Sequence, residues 1–231
     1  MTTAKHKRPR RPWICWSKPE GAPALRLFCF PYAGGGPTIF RDWPLHLAPS
    51  VEVCAIIPPG RGPRHGEASP IRLEEIVDEV AEHIGATRDV PFALAGHSLG
   101  GLVAFEVARK LRQSGGVQPV HLFASASPSP QLERNDFAAG DFGEEALIEC
   151  LTKWNGTPKE VLENRELMKL FLPGIRADLR AFNSHRYVHQ APLNLDITAF
   201  GGIRDRIVEE RQLAAWSEQT TQAFQLVMVP G

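Results

Sequence analysis

Residues 91–105 read PFALAGHSLGGLVAF, with Ser98 flanked by glycine two positions before and two after. This G-x-S-x-G spacing presents a nucleophilic hydroxyl only where a strand enters the turn and a helix leaves it. Both flanks meet that condition. Phe92, Ala93, Leu94 and Ala95 form a short apolar run of the kind a parallel sheet buries, while Leu102, Val103, Phe105, Ala108 and Leu111 recur at helical spacing up to a Ser114-Gly115-Gly116 stop. Gly96 and Gly100 remove side chains that would collide in so tight a turn. Ser98 then stands in the open at a helix N-terminus, where unpaired N–H groups and the positive dipole end favour an oxyanion. The chemistry is nucleophilic acyl transfer; a tight turn with an incidental serine is the competing reading. His97 reads as packing or backbone support, because a side chain beside the turn's tip points elsewhere.

Such a serine needs a base, an orienting acid and an oxyanion hole. In a strand–turn–helix setting the triad runs Ser, acid, His along the chain, with the acid after a late strand. The apolar run 195–200 is that strand and Gly201-Gly202-Ile203-Arg204-Asp205 follows it, which makes Asp205 the candidate acid. An N-cap for a helix starting near Ile207 is its competing role. Asp196, inside the strand, is less suitably placed. For the oxyanion hole, the early run 25–30 leads into Pro31-Tyr32-Ala33-Gly34-Gly35-Gly36, whose glycines let backbone N–H groups approach a substrate oxygen. Tyr32 or Ala33 supplies one N–H and Leu99 the other. A phosphate loop is the rival, weakened because neither G-x-x-x-x-G-K-[ST] nor G-x-G-x-x-G follows.

The elements that must hold these residues alternate. Strands are predicted at 25–30, 52–57, 92–95, 120–124, 195–200 and 223–229, and helices near 73–84, 99–113 and 207–219. The pattern implies an α/β fold, a mostly parallel sheet with helices on both faces. About seventy residues between the strands at 120–124 and 195–200 break the rhythm. They open on Ser125-Ala126-Ser127-Pro128-Ser129-Pro130 and continue as three helical stripes: Leu147, Cys150, Leu151 and Trp154; Leu162, Leu167 and Phe171; Ile175, Leu179 and Phe182. We read them as an inserted helical lid at 126–190 over a core at 20–125 and 191–231, behind a basic, disordered arm at 1–19.

The 231 residues carry 26 basic and 26 acidic side chains, and five of the basic ones lie between Lys5 and Arg11, leaving 21 basic against 26 acidic in the body. A mildly acidic body argues against a nucleic-acid function. No run of 18 apolar residues spans a membrane, and the N-terminus lacks the apolar region of a signal peptide, so a cytoplasmic location is expected. Cys15, Cys29, Cys54 and Cys150 have no metal-ligand spacing and read as reduced thiols. No metal or cofactor is expected.

FCFPYAGGG (28–36), Trp43, PPGRGPRHGE (58–67), PFALAGHSLGGLVAFEVARKL (91–111), HLFASASPSP (121–130), IRADLRAF (175–182) and FQLVMVPG (224–231) together resemble type II thioesterases. These are stand-alone α/β-hydrolases that accompany polyketide synthases and nonribosomal peptide synthetases. The resemblance implies hydrolysis of acyl thioesters from the phosphopantetheine arm of an acyl or peptidyl carrier protein, which clears stalled or mis-primed synthases. By position it makes Ser98 the nucleophile, Asp205 the triad acid, and Tyr32, Ala33 and Leu99 the oxyanion hole. Arg61 and Arg64 become candidate contacts for an acidic carrier surface, and a monomer without resident cofactor is expected.

The sequence departs from the family in three places. Leu99 stands where Met is common, and glycine replaces a common acidic residue in PGRGPR. The family's catalytic histidine lies just beyond a Pro-Gly pair like Pro230-Gly231; no histidine follows Asp205 here, so the chain is expected to be truncated before it. His65 lies in the PGRGPRHGE loop, His185 and His189 flank the end of the lid, and His6, His46, His83 and His121 read as surface or structural residues; none is assigned as base. Two alternatives stay open at this stage: a small-molecule carboxylesterase or lipase sharing the elbow and acid, and a non-catalytic carrier-binding module.

Overall fold

The computed structural model describes residues 13–17, 21–87, 89–133, 143–154, 157 and 159–230. Among them a seven-stranded sheet is built from β1 (Ile14–Trp16), β2 (Leu25–Phe30), β3 (Val51–Ile56), β4 (Phe92–His97), β5 (His121–Ser125), β6 (Asp196–Gly202) and β7 (Phe224–Val229). The spatial order is β1-β3-β2-β4-β5-β6-β7. From β3 to β7 every neighbouring pair is parallel, and β1 closes one edge antiparallel to β3.

Alternation along the strands sorts the core. Phe28, Phe30 and Leu94 turn to the face covered by α1 (Leu73–Gly85) and α2 (Leu99–Gln113), while Leu27, Cys29, Ala93 and Ala95 turn to the other, where they meet Phe40. β4 is central and its first five residues are buried, which explains why it reads as a continuous apolar run. Burial pushes the Cys29 and Cys54 thiols well above the ordinary value, so both stay protonated and act as small apolar side chains.

Two boundaries differ from the sequence expectation. Ile14–Trp16, placed with the arm, enters the fold as β1, because an apolar, β-prone stretch follows the basic run. Trp13 is buried, donates from Nε1 to Glu79 at 2.8 Å and lies under the Arg64 guanidinium at 4.1 Å. The arm's expected disorder falls on residues 1–12, 18 and 19, outside the described residues. In the insertion, α3 (Glu144–Trp154), α4 (Lys159–Leu162) and α5 (Arg165–Ser184) form a cap with its own core of Leu147, Leu151, Met168, Leu172, Ile175 and Leu179. Counting back from Ile175 and Leu179 at helical spacing gives Leu172 and Met168 as the inward residues. Leu167 and Phe171, one position out of phase, face outward and are exposed. A shorter α6 (Glu210–Ala214) follows β6, capped by Glu209 rather than by Asp205. Among the described residues no helix is long and apolar enough to cross a membrane.

Candidate active site

The register sets the carboxyl ends of four strands level: Phe30 beside Gly96, His97 beside Ser125, and Ser125 beside Phe200. Ser98 sits one residue beyond β4 at the middle of that row. Its backbone adopts φ 54°, ψ −119°, a conformation that costs a non-glycine residue about 1–3 kcal/mol. Neighbours hold it there. Ser98 N–H donates to Ser125 O at 2.8 Å, and Gly101 N–H donates to Ser98 O at 2.9 Å. A Cβ on Gly96 would lie 2.1 Å from Gly100 O, so the strand end and helix start touch backbone to backbone. Among the described residues Ser98 Oγ has no hydrogen-bond partner.

Facing Ser98's helix is the turn after β2. Gly35 N–H donates to Tyr32 O at 2.8 Å, and Gly34 has φ +82°. Positive φ at the third position, with Ala33 negative, defines a type II turn and explains the glycine. Within the described residues the N–H groups of Tyr32, Ala33 and Leu99 donate to no other protein group, which leaves them available to a ligand oxygen. Gly34 N–H is occupied. It donates to Asp178 Oδ2 of α5 at 2.7 Å.

Asp205 occupies the loop after β6, two strands from Ser98. Its Oδ1 accepts from Ile207 N–H at 2.8 Å and Val208 N–H at 3.2 Å, which fixes the loop and leaves Oδ2 open. The capping chemistry anticipated as a competitor is therefore present, but it serves a turn ahead of α6 and uses one oxygen. His97 lies between these parts: Nδ1 is 3.0 Å from Ser125 Oγ and the ring meets Tyr32 edge-on at 5.8 Å. One edge reaches solvent, yet desolvation of the ring holds His97 below the ordinary imidazole value of 6.5, with the Asp205 charge pulling the other way. An NMR titration should therefore place its midpoint below 6.5. A midpoint above that value would mean that the Asp205 charge, not desolvation, governs the ring.

The remaining described histidines are engaged or remote. His121 Nε2 is 2.8 Å from Thr198 Oγ1, His185 Nε2 is 2.9 Å from Glu106 Oε1, and His83 Nδ1 is 2.7 Å from Glu79 O. His46, His65 and His189 are exposed. Among the described residues no group of three or more His, Cys, Asp or Glu could hold a metal ion.

Arg61 and Arg64 differ from expectation. Arg64 is buried: its guanidinium bonds Glu67 at 2.7 and 3.0 Å and Ile57 O at 3.1 Å, and stacks on Trp13. Arg61 pairs with buried Asp178 and donates to Pro59 O at 3.0 Å. Both are engaged within the protein, and one partner of each, Asp178 for Arg61 and Trp13 for Arg64, comes from a distant segment that loop composition does not announce. Asp178 itself received no role from the sequence. Its signal was a lone carboxylate on the apolar face between Ile175 and Phe182. Burial pushes its carboxyl up to about 6, against the Arg61 charge and the Gly34 N–H, which favour the ionised form.

A parallel sheet that presents a strained serine at its central strand end, beneath a helical cap, is the arrangement of an α/β-hydrolase. The thioesterase domain family matches residues 25–231, and the chain belongs to that family. The gramicidin S biosynthesis protein GrsT of Aneurinibacillus migulanus is 42% identical over 221 residues, which cover 95% of this chain and 86% of that protein. Among solved structures, the RedJ thioesterase of the prodiginine pathway in Streptomyces coelicolor superposes with a TM-score of 0.84 at 36% identity, covering 99% of this chain and 90% of that one. The type II thioesterase BorB from the borrelidin biosynthetic cluster gives 0.84 at 33% identity, covering 95% and 89%.

Proposed function

We propose that this protein hydrolyses acyl thioesters held on the phosphopantetheine arm of carrier proteins, an editing step in polyketide or nonribosomal peptide synthesis. The observation that carries this function is Ser98 at φ 54°, half-buried at the turn between a strand end and a helix N-terminus. Ser98 Oγ attacks the thioester carbonyl. Leu99 N–H and Tyr32 or Ala33 N–H receive the oxyanion, and the carrier thiolate leaves. Water then attacks the Ser98 ester, releasing the carboxylic acid and restoring the hydroxyl. Because a thiolate leaves readily, stabilising the oxyanion matters more than protonating the leaving group.

Asp205 is the triad acid in this mechanism, with Oδ2 free to orient an imidazole. No histidine within these 231 residues is assigned as the base. The proton of the Ser98 hydroxyl passes through the imidazole that Asp205 orients to the departing sulfur, which is released as a thiol, and the chemistry calls for no cofactor. The names of the relatives, which belong to gramicidin, prodiginine and borrelidin biosynthesis, support a carrier-bound substrate.

The test compares one acyl group on a carrier protein and on a small thiol. A carrier surface that adds even about 1.4 kcal/mol of recognition gives a tenfold preference, so kcat/KM should favour the acyl carrier about tenfold or more. Equal values on both substrates would identify a general esterase.

A further inference from the structure

We infer that Asp178 is a positioning residue for the oxyanion hole, locking the turn after β2 to the cap helix so that the Ala33 N–H faces the substrate only when α5 is seated. This rests on the proposed thioester hydrolysis at Ser98. One carboxylate oxygen, Asp178 Oδ2, accepts both the Gly34 N–H at 2.7 Å and an Arg61 N–H, joining three segments distant in sequence. The Gly34 N–H belongs to the central peptide of the type II turn. Type I and type II turns differ in ψ of the second residue and φ of the third, which amounts to turning that peptide over. Glycine tolerates both arrangements. Nothing in Gly34 itself therefore keeps the turn in one state.

The acceptor on α5 supplies the preference. Turning the peptide over would swing the Ala33 carbonyl toward Asp178 in place of the Gly34 N–H, setting two oxygens against each other. The Ala33 N–H lies on the preceding peptide, whose orientation that flip leaves alone; what the lock fixes for it is the position of the whole turn against α5. Packing reinforces the lock: a Cβ at Gly34 would lie 2.7 Å from Ile175 Cγ1, one turn before Asp178, so α5 rests directly on the turn. Ala33 touches both the sheet core and the cap core. A purely structural ion pair would need the Arg61 contact but not the Gly34 bond.

Asp178→Asn tests the assignment. One oxyanion donor is worth about 10²–10³ in kcat when removed, and misorienting it should cost on the order of tenfold to a hundredfold. We expect that fall in kcat on an acyl carrier with KM changed less than about twofold, the signature of an interaction made only in the transition state. Affinity for an acyl trifluoromethyl ketone, which forms an oxyanion on serine, should fall by the same factor. In the unsubstituted protein, hydrogen exchange should show the Gly34 amide protected and the Ala33 amide protected only once the ketone is bound; this reading survives even if Asp178→Asn does not fold. Unchanged kcat and ketone affinity in a folded Asp178→Asn protein, a raised KM alone, or a Gly34 amide exchanging at the free-peptide rate overturns the assignment. Failure of the parent function is separate: it appears in the unsubstituted protein as equal kcat/KM on carrier and small-thiol substrates.

Discussion

With an imidazole in place beside Asp205, Ser98→Ala is expected to lower kcat on an acyl carrier by a factor on the order of 10⁶, as when a triad serine is removed and only the oxyanion hole and binding remain. Its fold should persist. Alanine inherits the φ of 54° and every backbone contact that enforces it, the Ser98 N–H to Ser125 O bond included. Ser98→Gly separates activity from strain. It should be equally inactive but more stable than the alanine variant, since glycine relieves roughly 1–3 kcal/mol of backbone strain and returns part of that in conformational entropy. For a chain of this size each kcal/mol moves Tm by about 2–4 °C. A thermal melt placing Ser98→Gly below Ser98→Ala would deny that the elbow is strained.

Gly100→Ala should be, with Gly96→Ala, among the most damaging single methyls within the described residues. At Gly100 the added Cβ would sit 2.2 Å from Phe30 O and 2.7 Å from Pro31 O, both main-chain atoms at the end of β2. Neither can rotate away, so the first turn of α2 must lift from the sheet. Overpacking a tight core typically costs 1–3 kcal/mol, and contact between two backbones places this case at about 3 kcal/mol or more. Lifting α2 also carries the Leu99 N–H away from the Tyr32–Ala33 turn, so kcat should fall even in the folded fraction. Gly143→Ala is the matched control: no heavy atom lies within 4 Å of its added Cβ, and its stability should change by about 0.5 kcal/mol or less. Equal Tm values for the two variants would contradict the close approach at the elbow.

What the sequence made legible follows from where contacts are short-range. The elbow shows because its close approaches, Gly96 against the Gly100 backbone and Gly100 against the end of β2, both leave glycines at fixed offsets from Ser98. The glycine turn after β2 and the loop carrying Asp205 show because each follows an apolar strand. Long-range pairing leaves weaker marks. Arg61 and Asp178 lie 117 positions apart, and β1, β2 and β3 separate Trp13 from Arg64 in the sequence, so a half-buried and a buried guanidinium read as loop charges. β1 was hidden behind the basic run because three residues carry too little periodicity to set a strand. The inward face of α5 was misphased by one position because apolar residues stand at Leu167, Met168, Leu170, Phe171 and Leu172 alike. Only packing against Leu147 and Leu151 selects among them.

The most direct measurement is to trap the acyl group. The protein is mixed with an acyl carrier thioester, quenched in acid before the ester is hydrolysed, digested and mapped by mass spectrometry. The account predicts one acyl mass added to the peptide containing Ser98, and none in Ser98→Ala treated alike. An acyl group on any other residue, or steady hydrolysis by Ser98→Ala at the parent rate, would contradict it.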